Sequence, residues 1–140
     1  MEIPLPSVRL IVTDEQNRVL ILRRQNTTHS SGAWCLPGGK VEYGQTVEEA
    51  ARQELREETS LECTSMRFLF FQDSLPLELG TMHCINFYFD CIASGNVRLS
   101  DESSEYAWIS SADLDRYTIV FRNDEALRSY WRQGPQRAPQ

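Results

Sequence analysis

Most of what would staple, anchor or strongly charge this chain is missing from it. Its four cysteines, Cys35, Cys63, Cys84 and Cys91, include no C-x-x-C pair, and with only two histidines, His29 and His83, they form no cluster at zinc-ligand spacing. They read as reduced thiols. No stretch approaches the roughly 20 consecutive apolar residues of a membrane span, and the opening "MEIPLPSVRL" lacks a basic start followed by a long apolar run. No membrane partner is expected, and the expected location is the cytoplasm. Cations are scarce as well: 14 Lys and Arg stand against 20 Asp and Glu, a formal net charge of -6. Such a balance offers no overall field to a phosphate backbone, which excludes duplex nucleic acid as a tight partner. A small phosphorylated ligand stays possible, because a metal ion can bridge acidic protein groups to acidic substrate groups.

What remains is an ordinary globular composition, 41% hydrophobic and 24% charged over 140 residues. That length suits one domain, placed here over residues 1–133, with "GPQRAPQ" at 134–140 as a fraying tail. "SVRLIVTDEQNRVLILRR" reads as a hairpin around Asp14 to Asn17, followed by a polar loop over residues 25–35 and a Gly-Gly turn. Three stretches, "MRFLFFQ", "TMHCINFYFDCIA" and "EYAWIS", have strand composition, with a hairpin turn expected at Ser94-Gly95-Asn96. "SADLDRY" is a candidate short helix, and "RNDEALRSYWRQ" a longer one capped by Asn123 or Asp124. Strands before, between and after helices predict an α/β domain in which helices cover a mixed sheet.

The informative stretch is "LPGGKVEYGQTVEEAARQELREETSLE", residues 36–62. Thr46 and Glu49 have capping-box spacing, so a helix starts at Thr46. At about 100° per residue from Val47, Ala50, Ala51, Glu54 and Glu58 fall within roughly 60° of one direction, and Glu57 lies about 80° away. The inner stripe therefore runs from apolar residues into carboxylates. Glu48, Glu49, Arg52, Gln53 and Arg56 take the flanking and outer sides, so an outer face was available for the charge and was not used for Glu54 or Glu58. Carboxylates converging at i, i+3 and i+4 repel one another when ionised, and a divalent cation relieves that repulsion. Oxygen-only ligands favour Mg²⁺, with Mn²⁺ as substitute.

This stretch resembles the Nudix box of the Nudix hydrolase superfamily: Gly39 opens the pattern, Glu54, Leu55, Glu57 and Glu58 match its metal-binding core, and Leu61 closes it. The flanking "LILRR", "AWCLPGGKVE" and "EYAWIS" extend the likeness over most of the chain. Gln45 stands where the pattern has Glu, Gln53 where it has Arg, and Ser60 where it has Gly. The resemblance implies a Nudix-type α/β/α sandwich with a mixed β-sheet between helices, and a hydrolase acting on phosphorus anhydrides. It further implies a nucleoside diphosphate derivative as substrate, a nucleoside triphosphate or an ADP-ribose-like molecule, bound by a monomer or homodimer. A metal on Glu54, Glu57 and Glu58, with the carbonyl of Gly39, would neutralise phosphate charge and activate water. Arg23 and Lys40 are the phosphate-binding candidates, and Gly38 and Gly39 admit the diphosphate to the backbone. Glu57 and the loop carboxylates Asp101, Glu102 and Glu105 stay open as general base, Glu105 or Glu102 being preferred in the loop. His29 is a weaker candidate for substrate contact, Trp34 reads more readily as core than as a base-stacking ring, and His83 reads as structural. The alternative function, prompted by Gln45 and Gln53, is a nucleotide-binding module or sensor with weakened catalysis.

Overall fold

The computed structural model describes residues 2–27, 30–77 and 82–133. His29 and the tail at 134–140 lie outside the described residues. One mixed sheet of seven strands runs through the molecule: β1 (Leu5–Thr13), β2 (Val19–Arg24), β3 (Trp34–Cys35), β4 (Gly38–Lys40), β5 (Glu62–Ser74), β6 (Cys84–Ser94) and β7 (Ser103–Ile109). The two α-helices are α1 (Val47–Thr59) and α2 (Asn123–Arg132), and a short 3-10 helix spans Ser111–Arg116. Both Mg-site glutamates predicted for the inner stripe of a helix thus sit on α1.

β1 is the centre of the sheet, parallel to β6 along its whole length from Leu5↔Cys84 to Thr13↔Ile92. A strand with neighbours on both sides and helices on both faces must be apolar in both directions, and Val8, Leu10, Ile11 and Val12 are fully buried. Alternation sends Val8, Leu10 and Val12 to a core shared with Ala50, Ala51 and Leu55 of α1. Ile11 goes the other way, to Tyr88, Leu114 and the Ala126, Leu127 and Tyr130 face of α2. By the same period of two, Ser7 and Arg9 share the face of Ile11, at the end of the strand that the apolar core does not reach.

The expected hairpin around Asp14 to Asn17 stands: Asp14 Oδ1 accepts from Gln16 and Arg18 N–H, Asn17 is at φ 59, and β1 and β2 pair antiparallel through Thr13↔Val19. Three other local expectations are corrected. Gly38 and Gly39 are not a turn but the start of β4, paired antiparallel with β1 through Arg9↔Gly38 and Val8↔Gly39. Gly95 turns the chain at φ 106, yet no hairpin follows, because β7 crosses over to pair with β2. The loop predicted over residues 25–35 ends in β3, whose Trp34 and Cys35 pair with Arg23 and Leu22.

The helices differ in the same respect. α1 has its predicted start: Thr46 Oγ1 accepts from Glu49 N–H and Glu49 Oε1 from Thr46 N–H, both at 3.0 Å. α2 is not capped by Asn123 or Asp124. Its N-cap is Arg122, in the left-handed region without a side-chain cap, and Asn123 is turned into the core instead.

Candidate active site

The carboxylates of α1 meet the sheet at β4. A Cβ on Gly39 would lie 2.6 Å from Cδ of Glu54, so only glycine lets this carboxylate lie flat against the strand. A Cβ on Gly38 would lie 2.0 Å from the carbonyl oxygen of Val8, so that glycine is required by the pairing with β1. The Gly38 N–H donates to Glu58 Oε2 at 3.1 Å. Glu54 and Glu58, one helical turn apart, act on each other, the Glu54 charge helping to raise the Glu58 carboxyl. Burial pushes the Glu58 carboxyl well above the usual carboxylate range against the pull of Arg9, and burial also raises Glu54.

A cavity of about 420 Å³ opens over this pair and is lined by Gly38, Gly39, Lys40, Glu54, Glu57 and Glu58. Its other walls include Ser7, Arg9, Arg24, Cys35, Asn86 and Phe121, together with Ser74, Met82, Cys84, Glu102 and Ser103. Among the described residues, no three His, Cys, Asp or Glu side chains are grouped tightly enough to enclose a metal unaided. The donor set nevertheless suits a small hard cation that keeps waters and takes its remaining ligands from phosphate: adjacent carboxylates, oxygen only. The flat seat at Gly39 supports the same fit.

Of the residues picked from sequence, the cavity gathers Glu54, Glu57, Glu58, Gly38, Gly39, Lys40 and Glu102. Arg23 and Glu105 stand elsewhere. They face each other across β2 and β7 and form an exposed ion pair at 2.6 Å, with Arg23 Nε also donating to the Gly32 carbonyl. The pairing register shifts between Arg23 and Arg24, and it is Arg24 that faces the cavity. Trp34 packs edge-on against Tyr117 with ring centroids 5.0 Å apart, in the core beneath α2. His83 contributes its backbone carbonyl to Leu5 N–H.

Arg9 was not singled out by its sequence, and it is the cation nearest the carboxylates. Its Nη1 donates to the Leu36 carbonyl at 2.8 Å, its guanidinium lies 5.0 Å from the centroid of Phe121, and its Nε is buried with no partner. Arg24 lies over the same ring at 4.6 Å. The signal was present as two polar residues, Ser7 and Arg9, at period two in a strand whose positions Val8, Leu10, Ile11 and Val12 are core. Glu57 is exposed and held from the other side by a directional chain: Glu42 N–H donates to Gln45 Oε1 at 2.9 Å, Gln45 Nε2 to Gln53 Oε1 at 2.6 Å, and Gln53 Nε2 to Glu57 Oε1 at 2.7 Å. The two glutamines that depart from the box are therefore in contact with each other and with one of its glutamates.

A family model described as NUDIX domain matches residues 4–130. The nucleoside triphosphatase NudI of Escherichia coli is 33% identical over 106 residues, an alignment covering 69% of this chain and 75% of that protein. Among solved structures, the MutT protein of Methanosarcina mazei superposes with a TM-score of 0.84 at 27% identity, covering 97% of this chain and 99% of that one. The NUDIX domain of Shewanella oneidensis NrtR, solved with ADP ribose, shares the fold at 18% identity, with a TM-score of 0.77 over 95% of this chain and 90% of that one.

Proposed function

This chain belongs to the NUDIX family, hydrolases of pyrophosphate bonds, and on that premise we propose that it is a divalent-metal-dependent pyrophosphohydrolase of nucleoside triphosphates. The observation that carries the reading is the Glu54–Glu58 pair seated on Gly39 and opening into the same cavity as Arg9, Arg24 and Lys40. Anionic and cationic walls facing one cavity suit a metal–triphosphate complex. The triphosphate is preferred to ADP-ribose because the 33% identical relative is a nucleoside triphosphatase, whereas the ADP-ribose-bound neighbour is alike in fold alone.

Glu54 and Glu58 would hold the ion, with Glu57 and the Gly39 carbonyl at its edge. When bound, Mg²⁺ supplies charge neutralisation at phosphorus and a water of lowered pKa. Arg9, Arg24 and Lys40 would take phosphate oxygens, fixing the anhydride in line with the attacking water. Glu57, exposed and oriented by Gln53, would accept the proton from that water; Glu102, which lines the cavity, is the second candidate. Glu105 is less well placed, being engaged by Arg23.

The second reading, a nucleotide-binding module with weakened catalysis, is favoured by the neutral Gln45–Gln53 pair in the box. One experiment separates the two: hydrolysis of a panel of nucleoside triphosphates and ADP-ribose in Mg²⁺ and Mn²⁺, with nucleotide binding measured in parallel by calorimetry. Turnover that disappears with chelator and returns with metal supports the enzyme. Binding without turnover on every substrate supports the module.

A further inference from the structure

We infer that Asn86 reads a carbonyl oxygen on the substrate's base, so that the site selects nucleotides of guanine, hypoxanthine or the pyrimidines over those of adenine. The inference rests on the nucleotide reading above and deepens it. Asn86 lies on β6 directly beside Ser7 of β1, is 6% exposed, and lines the cavity. The Ser7 hydroxyl donates to Asn86 Oδ1, which fixes the amide by engaging its acceptor. The amide nitrogen, with two N–H groups, has no partner among the described residues and is not among the fully enclosed polar atoms that lack one. A buried donor left open to a cavity costs free energy unless a ligand supplies the acceptor.

The position suits a base. β4 and β6 flank β1 on opposite edges, and Ser7 pairs with Lys40 on one side and Asn86 on the other, so Asn86 lies two strand spacings, roughly 10 Å, from the phosphate-binding candidate Lys40 on the same face. A ribose and its first phosphate fill such an interval. Met82 borders the same cavity and offers apolar surface for the plane of a base, while the Phe121 ring carries the guanidinium groups of Arg9 and Arg24 that face the phosphates. Phe121 is held at φ 62, a conformation costly for an aromatic residue, and the Asn123 Nδ2 bond to its carbonyl helps to keep it there. Strain of this kind is maintained at binding walls more often than elsewhere.

Adenine alone among the common bases carries no exocyclic carbonyl and presents an amine where guanine and hypoxanthine present oxygen. A donor facing that amine is left unpaired, and sites built around one hydrogen bond reject the mismatched analogue strongly. The test compares inosine triphosphate with ATP, which differ at the six position and the adjacent ring proton, by kcat/KM on the same preparation. Wild-type protein is expected to favour inosine triphosphate by at least ~10-fold. Asn86→Leu should bring the ratio near one, and Asn86→Asp, which offers an acceptor, should bring it to one or reverse it. Because each ratio is internal to one variant, partial loss of folded protein cancels. A wild-type ratio near one, a preference for ATP, or a ratio unmoved by either substitution overturns the inference. Were no nucleotide hydrolysed, the proposed function would fail by itself, and the same ratios read as dissociation constants in calorimetry would still decide the role of Asn86.

Discussion

The two helices pack on opposite faces of one sheet and begin in opposite ways. α1 is written locally: a complete capping box at Thr46 and Glu49, two alanines and a leucine at helical spacing, acidic residues in the first turn and an arginine in the last. α2 is written by its surroundings. It follows two consecutive residues in the left-handed region, Phe121 and Arg122, and its first residue is a buried asparagine that accepts from Leu36 N–H at 2.9 Å and donates to Tyr88 Oη at 3.1 Å. The inner face of α2 is apolar to its end, with Ala126, Leu127 and Tyr130 buried. The inner face of α1 gives way to Glu54 and Glu58. A helix that nucleates from its own sequence can give up part of its packing face to chemistry; one that depends on tertiary contacts keeps that face for the core.

Removing a carboxylate from α1 should therefore cost activity and spare the fold. Glu58→Gln is expected to lower turnover by at least ~100-fold, as is Glu54→Gln, while the melting temperature stays level or rises. The amide oxygen can still accept from Gly38 N–H, and a buried ionisable group is gone. The pH dependence has a definite sign. Burial raises the Glu58 carboxyl in the folded state, so the folded protein holds a proton that the unfolded chain releases. The contribution of Glu58 to the stability of the metal-free protein is then fully present below the ordinary carboxylate range and is lost as pH rises through the raised value. Melting curves in chelator across that range should show the decline in wild type and a flatter profile in Glu58→Gln. A variant that keeps wild-type turnover at saturating Mg²⁺ would remove that glutamate from the ligand set.

The counterpart on α2 reverses the pattern. Asn123→Ala leaves the Leu36 N–H without an acceptor and removes the Tyr88 partner, and is expected to cost ~2–3 kcal/mol in chemical denaturation. The folded fraction should retain near-wild-type kcat. A cost under ~1 kcal/mol would mean that α2 is specified locally after all, through Asp124 or Glu125 in its first turn.

The same contrast explains what the sequence disclosed. α1, its cap and the inward lie of Glu54 and Glu58 follow from spacings of three and four residues within one segment, and all three stand in the structure. The alternating and β-branched strands were legible for the same reason. β4 was not, because Gly38 and Gly39 owe their extended conformation to β1, some thirty residues earlier in the chain, and a Gly-Gly pair by itself reads as a turn. Naming Arg23 rather than Arg24, and leaving Glu105 level with Glu102, turned on a register shift between β2 and β7, which no pattern within either strand reveals. Arg9 and Asn86 are polar residues inside apolar strands. Their function depends on which strands stand beside them and on where the covering helix ends.

The glutamine chain of α1 carries a smaller effect. Each amide in it donates towards Glu57, so Gln45 and Gln53 have matched polarities. Gln53→Arg alone sets a guanidinium against the Gln45 amide nitrogen, and Gln45→Glu alone sets a carboxylate against the Gln53 carbonyl oxygen. Both singles should lower kcat. Together they restore complementary charge and a charge-assisted contact to Glu57, so a double-mutant cycle on kcat should give a coupling of about 1 kcal/mol. Additive effects would mean that the contact at 2.6 Å has no part in holding Glu57.

The smallest effect falls where α1 is least well served by its own sequence. Ser60 ends the helix at φ 65, with its N–H donating to the Arg56 carbonyl at 2.9 Å, a left-handed cap that glycine adopts without the crowding a Cβ brings. Ser60→Gly removes that crowding, worth about 1 kcal/mol. It also removes the bond from Ser60 Oγ to the Arg98 carbonyl at 3.1 Å, an exposed contact tying α1 to the segment after β6. Glycine further increases the freedom of the unfolded chain, which works against the gain. The net expectation is stabilisation of about 0.5 kcal/mol, read as a rise in denaturant midpoint with unchanged slope, and no change in kcat, since the cap lies beyond Glu58 and touches nothing in the cavity. A loss of stability instead would show that the tie from Ser60 to Arg98 outweighs the strain of the cap, and that even α1, at its last residue, is held by the rest of the molecule.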